Sequence, residues 1–146
     1  MTLNLKSSTE EHITKVINKL RLVEQSNEYK TIVDTLDRLI NLSNSMITMQ
    51  PVFFRENDRL LTFYFFDENT YNFVLNLVNI LEAQINKVKE KCDDMLVVGN
   101  YKDHRDWVIS YDKLIRLYGK LDSNLQKHIK YIRFLENLDS TKTMIL

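Results

Sequence analysis

The residues of this chain with chemistry to offer are few and scattered. Cys92 is its one cysteine, and His12, His104 and His128 are its three histidines. A nucleophilic thiol needs a cation or a helix N-terminus beside it to persist as thiolate. Cys92 lies instead in "EKCDDM", where Asp93 and Asp94 oppose ionisation. Its position on an apolar seam makes it a small buried hydrophobe. The histidines stand far apart, and the paired Glu-x-x-His of a helical di-iron site is absent. Phosphate-cradling loops need clustered glycine, whereas Gly99 and Gly119 are isolated.

One polar cluster remains, "KDHRDW" at Lys102–Trp107. By type, Asp103, His104 and Asp106 are a metal-binding or proton-transfer trio, and His-Arg-Asp matches part of a kinase catalytic loop. Neither a glycine-rich loop nor Asp-Phe-Gly accompanies them. The cluster reads as a solvated connector in which Asp103 or Asp106 caps the following helix. No catalytic residue, metal ligand, cofactor or small-molecule substrate is therefore assigned, and the chain is expected to be non-enzymatic.

Residues suited to binding are better defined. "QPVFFRENDRLLTFYFFDENTYNF", Gln50 to Phe73, holds eight of the aromatic side chains and the only proline, Pro51. Phe53, Phe54, Phe63, Phe65 and Phe66 are candidate partner contacts, the competing reading being that the rings close one end of the core. Arg55, Glu56, Asp58 and Arg59 in its midst disfavour a membrane wedge. Trp107, expected to be half-buried at a helix entry, is a further candidate anchor. Lys113, Arg116, Lys120, Lys127, Lys130 and Arg133 fall opposite an apolar seam, and between Tyr111 and Leu138 only Asp112, Asp122 and Glu136 oppose them. That stripe suits an acidic partner or a nucleic-acid backbone, although a solvated lysine face is its commonest meaning. His128 falls on the seam itself, either hydrogen-bonded there or loosening the packing when protonated.

The elements that must position these residues are mostly helices. Two glycines, one proline and abundant Leu, Ile, Lys, Glu and Asn disfavour turn-rich folds. At 146 residues, with 44% hydrophobic and 27% charged side chains, the chain suits one helical domain over 1–146. Ser7 or Ser8 with Glu11 offers a capping box, and Ile13, Val16, Leu20 and Val23 then share a face. Tyr29, Ile32, Leu36, Leu39 and Met46 repeat the pattern, interrupted by Ser43, until Pro51 forbids helix. Tyr71, Val74, Val78, Leu81, Ile85, Val88, Cys92 and Met95 alternate steps of three and four. Asp67 or Asn69 can cap them, with Gly99 or Asn100 at the far end. Tyr111, Leu114, Tyr118, Leu121, Leu125, His128, Ile132 and Leu135 form the last seam, whose phase survives Gly119. One long helix is favoured there over two.

The expected fold class is thus all-α: a helical bundle of about four long helices, 8–25, 28–48, 69–97 and 106–138, with coiled-coil-like seams and a tail at 139–146. Residues 51–67 form a short β-hairpin or irregular aromatic segment, favoured narrowly over a helix at Glu56–Phe66.

Balanced charge, with 20 basic and 20 acidic residues, imposes no overall field. The uncharged run Asn69–Leu81 is too short and polar to span a bilayer, and no secretory signal is evident at the amino terminus. An intracellular setting, cytoplasmic or nuclear, is expected. The functional expectation is an interaction subunit or adaptor of a multiprotein assembly, binding protein partners or its own copies through helix seams and the aromatic patch. Nucleic-acid binding by the basic face is the alternative, and a virus-encoded helical protein that captures a host factor would carry the same pattern.

Overall fold

The computed structural model describes residues 2–26 and 29–145, with side-chain environments described for 10–25, 29–45 and 47–138. Its elements are α1 (Thr2–Ser26), α2 (Tyr29–Met46), β1 (Gln50–Glu56), β2 (Arg59–Phe65), α3 (Glu68–Val97) and α4 (Tyr101–Ile145). The protein is mostly helical, and among the described residues the departure from an all-α chain is one two-stranded antiparallel sheet. No described helix is long and apolar enough to cross a membrane.

Several helix ends differ from the boundaries read in the sequence. Helix α1 begins at Thr2, upstream of Ser7 and Ser8, so neither serine caps it. Thr2–Lys6 contains no glycine or proline, and a nucleated helix propagates through such residues. Helix α2 stops at Met46, ahead of Pro51. Helix α3 starts where Asp67 accepts a hydrogen bond on Oδ1 from the Thr70 amide at 2.8 Å. At its other end the Asn100 amide donates to the Met95 carbonyl and the Gly99 amide to the Leu96 carbonyl. This Schellman pair requires a left-handed residue, supplied by Gly99 at φ +77°.

Helix α4 also begins early, at Tyr101, because its cap is Asn100 rather than Asp103 or Asp106. Asn100 accepts on Oδ1 from the Asp103 amide at 3.3 Å, and its Nδ2 donates to the Asp103 carboxylate at 2.8 Å. The helix passes unbroken through Gly119 and continues over the expected tail to Ile145.

Apolar stripes explain which helices meet. Helix α1 packs on α2, α2 on α4, and α3 on α4. The described core joins Ile13, Val16 and Leu20 of α1 to Leu36 and Leu39 of α2, Val74, Leu77 and Leu81 of α3, and Leu114, Leu117 and Leu121 of α4. Leu77 and Leu117 lie beside the seams read from sequence. Near the start of α4 the buried side chains are Trp107 and Ser110, whereas Tyr111 is only partly covered. An unsupercoiled helix drifts about 20° per heptad, so its buried stripe slides off a strict seven-residue repeat.

The hairpin owes its existence to Asn57 and Asp58. Glu56 faces Arg59 across a two-residue loop, and both loop residues have positive φ, 51° and 61°. Such a type I′ turn matches the twist of paired strands, and Asn and Asp tolerate the left-handed region better than other side chains. Alternation then separates Val52, Phe54, Leu61, Phe63 and Phe65, all partly buried, from exposed Phe53, Leu60 and Tyr64.

Core and surface positions of α4 should respond very differently to truncation. Leu121→Ala is expected to lose about 2–5 kcal/mol of unfolding free energy, while exposed Ile115→Ala changes it by about 0.5 kcal/mol or less. Urea titration followed by circular dichroism measures both, and equal losses would contradict the assigned packing.

Candidate functional site

The aromatic stretch becomes a layer over the far half of α4. Phe63 stacks on Phe134 with ring centroids 4.6 Å apart, and Phe54 meets the same ring at 4.9 Å. Phe65 reaches Tyr131 at 5.3 Å. Tyr131 and Phe134, three apart on one helix, form the seat for the inward face of the hairpin. Phe54, Phe63 and Phe65 are therefore spent mainly on docking the hairpin, and Phe66 is buried outright. Of the five phenylalanines proposed as contacts, only Phe53 is substantially exposed, at 59%.

Leu60 at 64% and Tyr64 at 43% share the outward face with Phe53. Sequence reasoning did not single out either residue. The available signal was the turn: once Asn57–Asp58 is placed, strand parity sends Leu60, Thr62 and Tyr64 outward.

Phe66 ends the hairpin with a specific lock. Its buried amide donates to Nδ1 of His128 at 3.0 Å. The imidazole stacks on Tyr71 of α3 at 4.4 Å between centroids and faces Phe66 at 6.2 Å. Accepting at Nδ1 requires the neutral tautomer with its proton on Nε2. Burial likewise lowers the His128 pKa below its ordinary value.

Trp107 corrects an expectation. It is 2% exposed, its ring lies edge-on to Tyr29 at 5.3 Å, and it belongs to the core rather than to a partner-facing surface. Helix α4 starts two turns before Trp107, which carries the residue inward instead of leaving it at a helix entry. Its Nε1 has no hydrogen-bond partner among the described residues, as is also true of the Ser43 hydroxyl. Neighbouring Asp106 accepts a hydrogen bond from the Tyr29 hydroxyl. Burial, then this carboxylate, pushes the tyrosine pKa upward. Within "KDHRDW", Asp103 thus braces the Asn100 cap and Asp106 ties α4 to α2.

The basic stripe of α4 is divided. Lys113 pairs with Asp37 of α2 at 3.3 Å, and Arg116 with Asp112 at 3.0 Å. Lys120 donates to the carbonyl and side chain of Asn44. Lys127 lies over the Tyr64 ring, 5.7 Å from its centroid. Lys130 and Arg133 are exposed and have no acidic partner among the described residues. Cys92 is buried, and burial, then Asp93, raises its thiol pKa. Among the described residues, no group of three His, Cys, Asp or Glu side chains comes together to hold a metal.

No family model, curated protein or solved structure matches the chain.

The His128 lock makes stability depend on pH in a defined direction. Because the folded pKa is depressed, the unfolded chain takes up the proton first as pH falls through 6.5. Stability is complete above that value and declines from there down to the folded pKa. Urea midpoints measured from pH 7.5 downward should fall across this window. His128→Gln, which keeps an acceptor without titrating, should remove the component; an unchanged slope would exclude His128 as its source.

Proposed function

We propose that the protein is a non-enzymatic interaction subunit, a helical bundle with coiled-coil-like seams that binds a protein partner through the outward face of the β1–β2 hairpin. The supporting observation is the pairing of two unlike faces on one small sheet. Its inner rings already anchor it to Tyr131 and Phe134, while Phe53, Leu60 and Tyr64 stand in solvent on the other side. Burying a Phe or Leu side chain is worth about 1.5–3 kcal/mol, so a protein surface closing over these residues gains substantially. The helices supply a rigid platform, and the hairpin presents the contact.

Nucleic-acid contact through α4 has weaker support. Lys113 and Arg116 already face carboxylates, and Lys127 is engaged with Tyr64. A phosphate-tracking surface gains affinity from free, adjacent cations. Charge reversal at Lys127, Lys130 and Arg133 is expected to leave any nucleic-acid retention in filter binding, and its salt dependence, unchanged; a steep loss would favour this second reading.

A Phe53→Ser/Leu60→Ser double variant tests the partner surface directly. Both positions are exposed, so its thermal transition should match that of the parent chain within the scatter of surface substitutions, about 0.5 kcal/mol. The tagged parent is expected to retain a partner from cell extract that the variant loses. Equal capture by both proteins would overturn the assignment.

A further inference from the structure

Resting on the reading of the hairpin as a partner surface, we propose that β2 accepts an extended, acidic segment of the partner as a third strand. The strand register identifies the edge that can receive it. In a two-residue hairpin the closing pair exchanges both backbone hydrogen bonds, and hydrogen-bonded pairs recur at every second residue. With Glu56 opposite Arg59, the inward-bonded residues are Gln50, Val52, Phe54 and Glu56 on β1, and Arg59, Leu61, Phe63 and Phe65 on β2. Pro51, Phe53 and Arg55 therefore turn their backbone groups to the outer edge of β1, and Leu60, Thr62 and Tyr64 theirs to the outer edge of β2.

The two edges are unequal. Pro51 has no amide hydrogen to give and Arg55 brings a charge, and both features blunt an edge against strand addition. The outer edge of β2 has neither. Leu60, Thr62 and Tyr64 are uncharged and exposed. Among the described residues, no backbone hydrogen bond reaches these three from outside the hairpin. Strand β2 also rests on α4, so it is the supported strand of a sheet that is marginal with only two. An added strand would exchange hydrogen bonds with Leu60, Thr62 and Tyr64 and lay alternate side chains beside these three on the outward face or toward α4 on the inward one.

The charge of the occupant follows from what surrounds the end of β2. Lys127 sits over Tyr64, and Lys130 lies one turn along without an acidic partner among the described residues. Of the acids close in sequence, Asp67 is engaged as the cap of α3 and Glu68 lies in the first turn of that helix. Glu56 and Asp58 are at the opposite end of the hairpin, in the turn, where Glu56 faces Arg59. A segment alternating β-branched or aromatic residues with Asp or Glu, its acidic end beside Tyr64, complements that arrangement.

The probe is a phage-displayed library of random peptides about twelve residues long, panned against the full chain. Enriched sequences should be acidic and β-prone, and a synthetic copy should slow amide hydrogen exchange at Leu60, Thr62 and Tyr64 of the unmodified protein. Thr62→Pro removes an outward amide while leaving the ladder of the hairpin intact, and should weaken the peptide at least about tenfold; Arg55→Pro, on the edge of β1, should not. Helical or basic binders, no binders, unchanged exchange at β2, or equal effects of the two prolines would overturn strand addition. So would self-association through β2 in sedimentation, which would make the occupant a second copy. Binding that survives Thr62→Pro but is lost in Phe53→Ser/Leu60→Ser removes the strand mechanism and leaves the partner surface standing. Binding indifferent to all of these substitutions removes both.

Discussion

The hydrogen bond from the Phe66 amide to His128 is the constraint on which the arrangement of sheet and helices turns. Phe66 is the single residue between the end of β2 and Asp67, the cap of α3. Fixing its backbone to α4 fixes where the hairpin ends and where α3 begins. A two-stranded sheet has little stability of its own, so its geometry must be imposed from outside. The imidazole imposes it at one end and the seat of Tyr131 and Phe134 along its length. A buried amide left without an acceptor would cost about 1–3 kcal/mol, which makes the histidine a structural choice at a seam position where leucine would pack as well but accept nothing.

Charge on α4 is used in two ways along one face. Toward the start of the helix, Lys113 and Lys120 reach across to Asp37 and Asn44 of α2. Beyond the end of α2 the hairpin takes over as neighbour, and the cation there, Lys127, meets an aromatic ring instead of a carboxylate. Through Lys113, Lys120 and Lys127 the stripe forms a line of polar contacts that continues past the helices. Pairs as exposed as Lys113–Asp37 add at most about 1 kcal/mol. Their stronger effect is on which neighbours lie side by side.

Periodicity made the helices legible, because an apolar seam such as Val74–Val78–Leu81–Val88 leaves few other ways to be buried. The ends were less so. Ser8 and Glu11 have the right types and spacing for a cap, but nothing upstream obliges the helix to stop there. Gly99 and Asn100 both suit the end of α3 by type, and Gly99 takes the left-handed position. Asn100 closes α3 with its backbone amide and opens α4 with its side chain, which a three-residue turn permits. In the aromatic stretch, the types of residue pointed to a hairpin but not to its faces. The burial of Phe54 and exposure of Phe53 depend on a turn at Asn57–Asp58 that lacks the usual glycine. The burial of Trp107 was hidden for a different reason: it depends on α2 delivering Tyr29 to the same place, a long-range event with no local signature.

That placement of Trp107 also makes the protein optically asymmetric. The sole tryptophan, in contact with Tyr29 across α2 and α4, reports on the closed end of the helices. It stands roughly 36 Å along α4 from Tyr131, at about 1.5 Å of rise per residue, and so is blind to what happens at the hairpin. The tryptophan component of the emission, excited beyond tyrosine absorption, is a gauge of the contact between α2 and α4. Any event that changes ellipticity or tyrosine absorption while leaving tryptophan emission steady belongs to the other end of the molecule.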